Sequence, residues 1–415
     1  MATVTHNPDK LTVSEAASII GVSADTIRRW HKKGLIRAEI GHRNERLFSR
    51  EELDRINRKN LDGAVEWKVL TASKSKLTSI ELFAGAGGLA LGMHNAGINS
   101  QLLVDNDKSA VETLQKNLPK IDSRCISVTD LDLTEYANGI DVMAGGFPCQ
   151  AFSYAGLKRG FDDARGTLFY EYARLIEQVN PKLVLGENVR GLLNHDGGRT
   201  LSTMITILES LGYRVAFKVL RAQFLDVPQK RERLIIIGLR EDIGGDFFFP
   251  EEKDYTISLR SALDDVPKSE GLSYNAKKAA VLDLVSPGGY WRDLPEDVQR
   301  SYMGASYFLG GGKTGMARRL AWDEPSLTLT CSPAQKQTER CHPEETRPLT
   351  IREYARIQCF PDEYQFQGSV ASQYKQIGNA VPVNLGYHIG LAIRKMLGDE
   401  PKRSERPANL VAPTN

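Results

Sequence analysis

The stretch Thr78-Ser-Ile-Glu-Leu-Phe-Ala-Gly-Ala-Gly-Gly88 decides the fold of this chain. Its apolar first half predicts a β-strand over Thr78–Phe83, and its glycines predict a sharp turn into a helix over Gly88–Ala96. Asp105 lies eighteen positions after Gly87, at the end of the next apolar run. A glycine-rich turn between strand and helix, followed by an acid after the second strand, is typical of doubly wound folds that bind a nucleotide. Taken alone, this loop fits a dinucleotide as well as an adenosyl cofactor.

Apolar runs and helical stretches alternate between residues 78 and 240. This alternation predicts an α/β protein with a doubly wound, Rossmann-like and mostly parallel sheet. The predicted helices are Gly88–Ala96, Lys108–Asn117, Gly166–Val179 and Thr200–Leu211. The predicted strands are Thr78–Phe83, Leu102–Asp105, Arg124–Val128, Ile140–Ala144, Leu183–Gly186, Tyr213–Leu220 and Leu234–Leu239.

The rest of the chain divides into further domains, since 415 residues exceed what one hydrophobic core usually supports. Residues 241–346 contain several prolines, glycine runs at 288–289 and 310–312, and little periodic pattern. We therefore predict a separate small domain there. Helical patterning returns over 347–397 and is predicted to complete the sheet-based domain of residues 78–240, and 398–415 is predicted to be a disordered tail.

Residues 1–60 are predicted to form a small DNA-binding domain, followed by a linker at 61–77. The turn Gly21-Val-Ser23 separates two short helices, and Arg37–Ser49 has the pattern of a two-stranded wing. The arrangement resembles the winged helix-turn-helix of MerR and excisionase-type proteins, in which the second helix enters the major groove. The basic side chains of that helix are Arg28, Arg29, Lys32 and Lys33.

The charge of this N-terminal part does not by itself decide between DNA binding and a solvated surface. Residues 1–76 hold 15 Lys and Arg against 10 Asp and Glu, while the remaining residues hold 39 against 42. The basic excess suits contact with phosphates, but a solvated charged face explains it equally well. A helical appendage that does not bind DNA stays open as an alternative.

Composition and cysteine usage exclude several classes of protein. No apolar run approaches the ~18 residues of a membrane span, and the N-terminus lacks a secretory signal, so we expect a cytoplasmic protein without membrane contact. The five cysteines form an odd set without a C-x-x-C pair. This pattern argues against a disulfide framework and a zinc site, so we expect no metal.

One cysteine, Cys149, lies just after a predicted strand in the sequence Pro148-Cys-Gln150. It is a candidate nucleophile, although a buried and inert cysteine is the commoner situation after a strand. Five further motifs accompany it in a fixed order. They are Glu81–Gly88, Glu187-Asn-Val189, Gln229-Lys-Arg-Glu-Arg233, Arg347–Arg356 and Gln376–Pro382. Together these motifs resemble the DNA (cytosine-5)-methyltransferase family.

The resemblance implies a methyl transfer to carbon 5 of cytosine. Because the neutral ring is a poor nucleophile at that carbon, a thiolate, here Cys149, must first add to carbon 6. In the family, the glutamate matching Glu187 bonds ring nitrogen 3 and the exocyclic amine. Arg231 and Arg233 alternate on an extended segment, so both are expected to face the base carbonyl and its phosphate. An edge strand that uses charge against aggregation is the alternative.

The resemblance also selects S-adenosyl-L-methionine as the cofactor. Phe83 and the glycines of the loop would flank the adenosyl and methionine moieties. Asp105 would hold the ribose, Asp130 would meet the adenine, and Asn379 would lie near the methionine end. The complete predicted cofactor set is Phe83, Gly85, Gly87, Gly88, Asp105, Asp130, Pro148 and Asn379.

The target cytosine must leave the stacked duplex before it can react. We expect 151–166 to be the mobile loop that closes over it, with Gln150 and Ser153 contacting DNA. Base recognition is expected from 241–346, which is net acidic with 12 Lys and Arg against 18 Asp and Glu, so its DNA-facing surface must be local. The candidates are Lys313, Arg318, Arg319, Thr328, Lys336 and Arg340.

These observations predict a bacterial-type enzyme that methylates double-stranded DNA at a specific sequence, as the modification half of a restriction-modification pair. Its expected partners are double-stranded DNA and a cognate restriction endonuclease, and it is expected to act as a monomer on its site. Two alternatives stay open: an RNA cytosine-5-methyltransferase, and a transcription regulator whose methylase body is vestigial. The intact Cys149, Glu187, Arg231 and Arg233 argue against the vestigial alternative.

Overall fold

The computed structural model describes residues 10–20, 24–32, 36–41, 46–50, 53, 65–148, 168–311 and 313–399. The chain forms two compact units, of which the first comprises residues 1–67 and 255–357 and the second comprises residues 68–254 and 358–415. Within the described ranges, no helix is long and apolar enough to cross a bilayer.

The N-terminal part of the first unit begins with β1 (Lys10–Thr12), α1 (Val13–Ile20) and α2 (Ala24–Lys32), followed by β2 (Ala38–Ile40) and β3 (Arg46–Ser49). The three strands form an antiparallel sheet in the order β1–β3–β2. The predicted helices and wing are therefore present. Strand β1 was not predicted, because three residues with one buried side chain are too short for a recognisable alternation.

A small apolar core holds this part together. Ile27 and Trp30 of α2 are buried there with Phe48 of β3. The remaining core side chains are Leu11, Ala16, Ala17, Ile36 and Leu53. The predicted turn Gly21-Val-Ser23 lies outside the described residues.

The second unit is built on a seven-stranded sheet. Its strands are β4 (Thr78–Leu82), β5 (Asn99–Asp105), β6 (Asp122–Cys125), β7 (Val142–Gly145), β8 (Leu183–Val189), β9 (Tyr213–Arg221) and β11 (Glu232–Arg240), with a two-residue strand β10 (Gln229–Lys230) before β11. The strand order is β6–β5–β4–β7–β8–β11–β9. Only β11 is antiparallel to its neighbours, and the other pairs are parallel, which confirms the predicted mostly parallel sheet.

Helices α3 (Gly88–Asn95), α4 (Lys108–Asn117), α5 (Leu168–Val179) and α6 (Arg199–Ser210) alternate with these strands. Helix α4 has the predicted bounds, because Asp107 caps its first turn by accepting from the amides of Ser109 and Ala110. Apolar side chains of α5 and α6 pack with alternate residues of the strands in one large core.

Each of the seven strands differs from its predicted bounds at one or both ends, and two of these differences have identifiable reasons. Strand β8 continues to Val189 because it pairs with the antiparallel β11, in which Arg233 lies opposite Val189. Strand β6 ends at Cys125, and Val128–Asp130 instead form a 3-10 turn capped by the Ser127 hydroxyl. A polar capping residue therefore ended the strand earlier than its apolar pattern predicted.

The later part of the first unit contains α7 (Leu259–Leu263), α8 (Ala276–Leu282), α9 (Glu296–Met303), the two-residue strand β12 (Ser326–Leu327) and α10 (Ile351–Ile357). Its own apolar core includes Trp291, Leu294, Met303 and Met316. Helix α10 belongs to this unit, because Arg356 donates to the carbonyls of Ala262 and Asp264. The return to the sheet-containing unit therefore begins at Gln358, later than the predicted 347.

The second unit ends with α11 (Val370–Asn379) and α12 (Val383–Met396). Helix α12 crosses α3 at backbone contact distance, since a Cβ placed on Gly92 would lie 2.4 Å from the carbonyl oxygen of Val383 and 2.6 Å from the Cα of Gly386. The turn before α12 approaches the start of α3, where a Cβ on Gly88 would lie 2.1 Å from the Val381 oxygen. The C-terminal helices thus support the glycine loop by packing against Gly88 and Gly92.

Candidate active site

The parallel strands β4 to β8 end at one edge of the sheet, and the loops that follow them contain the predicted site residues. This carboxyl edge is where doubly wound sheets bind their ligands. The first loop, after β4, has positive φ angles at Phe83 (+58°), Gly85 (+53°) and Gly87 (+80°). Glycine adopts this conformation without strain, whereas at Phe83 it is uncommon enough to mark a functional loop.

The glycine loop is in contact with other residues at Ala86 and Gly87 and has open space beside Gly85. Behind it, the hydroxyl of the buried Tyr364 donates to the carbonyl of Ala86 at 2.7 Å. A Cβ on Gly87 would lie 2.6 Å from the Leu114 side chain, whereas a Cβ on Gly85 would meet nothing within 4 Å. The open space at Gly85 fits the close approach of a nucleoside ligand to the backbone.

Asp105 links the loop after β4 to the loop after β5 by hydrogen bonds. Its Oδ2 accepts from the Gly85 amide and its Oδ1 from the Asp107 amide, both at 2.8 Å. Each carboxylate oxygen has a second lone pair, so the half-buried Asp105 keeps acceptor capacity for ribose hydroxyls. The structure therefore gives Asp105 a role in loop architecture that sequence reasoning did not anticipate.

The other predicted cofactor residues follow neighbouring strands or helices. Asp130 is exposed in the 3-10 turn after β6, the strand whose Cys125 pairs with Asp105. Pro148 is exposed three residues after β7. Asn379 is exposed at the end of α11, just before the turn whose Ala380 and Val381 lie against Gly88.

Glu187 and Arg233 form an ion pair at the end of β8. The Arg233 Nε lies 2.7 Å from the Glu187 Oε1, and only 12% of the Arg233 side chain and 13% of the Glu187 side chain are exposed. Their strands place them together, because Val189, two residues after Glu187, is opposite Arg233 in the antiparallel register. A carboxylate and a guanidinium are thus held in fixed geometry beside the sheet edge.

The end of β7 lies against this pair. A Cβ on Gly146 would approach the Glu187 Oε2 to 3.3 Å, and the Asn188 side chain donates to the carbonyl of Phe147 at 2.9 Å. Gly146 and Phe147 directly precede the Pro148-Cys149 motif in the sequence. Cys149, Gln150 and Ser153 themselves lie outside the described residues, as does the predicted mobile loop 151–166.

Arg231 departs from the sequence prediction. Only 1% of it is exposed, and its guanidinium donates to the carbonyls of Gly378 at 3.2 Å and Asn379 at 3.4 Å. The extended segment is interrupted at Arg231, between β10 and β11, where its amide donates to the carbonyl of Gln229. Strand alternation therefore does not hold across this point, and Arg231 braces the end of α11 where the sequence predicted a contact with a phosphate.

Glu81 is a site residue that sequence reasoning missed. It is buried in β4, and its Oε2 has no hydrogen-bond partner among the described residues. Burial, and then the charges of Glu187 and Asp105, raise the pKa of its carboxyl well above the ordinary value. The available signal was an acid between two apolar residues, Ile80 and Leu82, of the predicted strand Thr78–Phe83.

The predicted DNA-contacting arginines of the later part of the first unit differ in exposure. Arg318 is half-buried, with its guanidinium 3.9 Å from Glu324. Arg319 is buried and donates to the carbonyls of Leu282 and His342, so the prediction that it faces DNA is corrected. Arg340 is also buried, and burial lowers its pKa to about 10. These two cations point inward because buried carbonyl groups need hydrogen-bond donors.

The other predicted contacts of this region are partly accessible. Lys313 is half-buried and its ammonium donates to the carbonyl of Leu309. Thr328 is half-buried, and its carbonyl accepts from Arg340 at 3.0 Å. Lys336 is exposed.

The second helix of the N-terminal part presents one described basic side chain. Arg28 is exposed on α2. The side chains of Arg29 and Lys32, and the whole of Lys33, lie outside what the structure describes.

Comparison with known proteins shows the family of this chain. Residues 77–395 match the family model described as C-5 cytosine-specific DNA methylase, and residues 11–59 match the MerR HTH family regulatory protein model. The chain is 53% identical over 407 residues to the Type II methyltransferase M.Eco47II of Escherichia coli, covering 95% of this chain and 98% of the relative. It is 48% identical over 399 residues to the Type II methyltransferase M.PspPI of Psychrobacter sp. (strain TA137), covering 93% and 96%.

A solved structure supports the fold alone. A mutant form of the Spodoptera frugiperda protein DNMT2 superposes with a TM-score of 0.55 at 17% identity, covering 78% of this chain and 100% of that chain. The family model spans most of the chain, and the relatives align along nearly their whole length. The chain therefore belongs to the C-5 cytosine-specific DNA methylase family.

Proposed function

We propose that this protein transfers a methyl group from S-adenosyl-L-methionine to carbon 5 of a flipped cytosine in a specific double-stranded DNA sequence. The observation that carries this proposal is the 2.7 Å ion pair between Glu187 and Arg233, with Gly146 lying against the Glu187 carboxylate. Gly146 is three residues before Cys149. A thiol is therefore close in sequence to a residue that contacts the Glu187 carboxylate, and that carboxylate is paired with the Arg233 guanidinium.

The three side chains have complementary roles in this proposal. The thiolate of Cys149 adds to carbon 6 of the ring and makes carbon 5 nucleophilic. After methyl transfer, the proton on carbon 5 leaves and the thiolate is expelled from carbon 6, which restores the ring double bond and frees Cys149. The Glu187 carboxyl hydrogen-bonds ring nitrogen 3, where electron density builds during the addition. Arg233 holds Glu187 through its Nε and has further N–H donors with which to bind the base carbonyl.

The residues of the sheet edge fit an adenosyl cofactor. The open face of Gly85 admits the ligand, and the remaining lone pairs of Asp105 suit ribose hydroxyls. Asp130 would meet the adenine and Asn379 the methionine end, and Phe83, Gly87, Gly88 and Pro148 would complete the pocket. When bound, S-adenosyl-L-methionine supplies the methyl group as an electrophile.

The biological role that we infer is host DNA modification. The relatives are named Type II methyltransferases, which favours a protein that works in the cytoplasm beside a restriction endonuclease cutting the same sequence. We infer that it acts on its site as a monomer. The RNA alternative is disfavoured because the family model and these relatives do not point to RNA, and because a helix-turn-helix model matches the N-terminal part.

Sequencing of methylated bases tests the proposal. DNA from cells that express the protein is analysed by bisulfite or nanopore sequencing beside a Cys149→Ser control. We expect one short motif to be methylated only when the cysteine is intact. Absence of DNA methylation from well-folded protein would contradict the proposal, and methylated cytosine in RNA from the same cells would favour the RNA alternative.

A second role is favoured by the match of residues 11–59 to a family of regulatory proteins. We propose that this part binds the promoter of the enzyme's own operon through α2, on which Arg28 is exposed. Footprinting with the full chain, at low salt, should reveal a protected upstream site that is lost in an Arg28→Glu variant. No protection upstream of the gene would contradict this role.

A further inference from the structure

Strand β9 is the last strand of the seven-stranded sheet, and β11 is its neighbour on the inner side. The strand at the opposite end of the sheet, β6, has four residues, whereas β9 has nine. A long edge strand exposes a row of backbone donors and acceptors that can pair with another strand. Proteins usually shorten or cover such strands, so a nine-residue edge is a candidate interaction surface.

The pairing with β11 decides which backbone groups of β9 point outward. At the two ends of the pair, the Ala222 amide donates to the Arg231 carbonyl and the Glu241 amide donates to the Gly212 carbonyl. Because hydrogen-bonded pairs alternate along an antiparallel ladder, the even-numbered residues of β9 bond to β11. The odd-numbered residues therefore point their amides and carbonyls away from the sheet. No described backbone group bonds to the odd-numbered residues of the stretch 215–219.

The side chains in the middle of β9 are accessible. Phe217 is 46% exposed, and Lys218 is exposed beside it. The two arginines near the ends of the strand are held by the same chain. Arg214 donates to two carbonyls of the segment that follows β11, and Arg221 forms an ion pair with Glu252. An apolar side chain thus lies open to a partner at the centre of the unpaired edge.

The sequence of β9 is complementary to itself in one antiparallel register. When the Phe217 residues of two copies lie opposite each other, Val215 faces Val219 and Lys218 faces Ala216. The outer pairs of this register are Arg214 with Leu220 and Tyr213 with Arg221. No two like charges are directly opposed, and aromatic and β-branched side chains meet at the centre, which is a favourable set of cross-strand pairs. The register also pairs odd residues with odd residues, so the outward backbone groups of both strands meet as hydrogen-bonded pairs.

We propose that two copies of this protein associate in solution through β9, about a two-fold axis that passes between their Phe217 side chains. The contact is isologous, and it joins the two sheets into one. Lysine commonly protects an edge strand from pairing, but in this register Lys218 lies opposite an alanine.

The dimer leaves the proposed reaction site of each copy intact. Glu187 and Arg233 belong to β8 and β11, so both side chains of one site come from the same chain. One copy can therefore act alone at each target cytosine. A single pair of strands buries less surface than a standard stable interface, so we expect a reversible dimer with a micromolar dissociation constant.

Sedimentation velocity of the full-length protein, from low to high micromolar concentration, measures this association. Phe217→Lys places two like charges on the axis and removes an aromatic pair, so the dissociation constant should rise roughly 10-fold or more. Phe308→Lys makes the same change at another exposed phenylalanine, which is 79% exposed, and should leave the dimer unchanged. Thermal melting shows whether each variant is folded.

Hydrogen exchange of the unaltered protein gives an independent readout. The amides of Val215, Phe217 and Val219 should exchange more slowly as the protein concentration rises. The amides of Ala216 and Lys218 bond to β11, so they should exchange slowly at every concentration.

Three results would overturn the proposal. One is an unaltered protein that stays monomeric over the whole concentration range. Another is a dimer that Phe217→Lys does not weaken, because it must then form through a different surface. The third is exchange at the Phe217 amide that does not depend on concentration, since the proposed register protects that amide directly.

Discussion

Two arginines two positions apart have different surroundings, and we expect different consequences from their loss. Arg233→Ala removes a partner of Glu187, so kcat should fall about 10²-fold to 10³-fold while the melting temperature changes little. Arg231→Ala removes a buried donor to the carbonyls of Gly378 and Asn379, which should cost about 1–3 kcal/mol of unfolding free energy. Single-turnover kinetics and urea unfolding measure the two effects. A stable but inactive Arg231→Ala protein would contradict this division of roles.

The buried carboxyl of Glu81 gives a prediction for pH dependence. Its pKa is raised in the folded protein, so its contribution to stability is fully present below the ordinary value near 4.5 and is lost as pH rises toward the folded pKa. Glu81→Gln removes this loss, so the variant should gain stability relative to the unaltered protein between pH 5 and pH 8. The gain should be at most about 1.4 kcal/mol per pH unit.

Thermal unfolding at pH 5 and at pH 8 measures the stability gained by Glu81→Gln. Glu241→Gln, at an exposed position, is the matched control. A difference between the Glu81→Gln variant and the unaltered protein that is the same at pH 5 and pH 8 would show that Glu81 does not titrate abnormally.

At the scale of elements, the crossing of α3 and α12 depends on a glycine. A Cβ on Gly92 would lie 2.4 Å from the Val383 oxygen, so Gly92→Ala should destabilise the protein by about 1–3 kcal/mol although alanine is the better helix former. Gly244→Ala is the matched control, because a Cβ there meets nothing within 4 Å. Urea unfolding measures both variants. If Gly92→Ala is as stable as Gly244→Ala, the helices do not cross this closely.

Elements also show how far local patterns predict structure. The strand-turn-helix of the glycine loop and the bounds of α4 were predictable, because turn glycines and the cap at Asp107 act over a few residues. The interruption of the extended segment at Arg231 was not predictable from the sequence, because the alternation of side-chain directions applies only to an unbroken strand. The domain boundary predicted at residue 347 lies before the boundary in the structure, since the apolar face of α10 does not reveal which core buries it.

At the scale of the whole molecule, positive charge concentrated near the N-terminus should affect DNA affinity more than the reaction itself. Arg28 is exposed on α2, so Arg28→Ala should lower the slope of log affinity against log salt by about one while the methylated motif stays the same. Binding titrations over a range of salt concentrations and sequencing of the methylated motif measure the two effects. A changed motif with an unchanged slope would mean that α2 reads the target sequence.

The sequence by itself determined the sheet-based fold, the glycine loop, the ordered motifs and the family, because these depend on residues that are close along the chain or on their order. The tertiary structure decided which of these residues share an environment. It paired Glu187 with Arg233, buried Arg231, Arg319 and Arg340, and enclosed Glu81 in β4. Burial and charge pairing arise between segments that are far apart in sequence, and no local pattern encodes the distance between them.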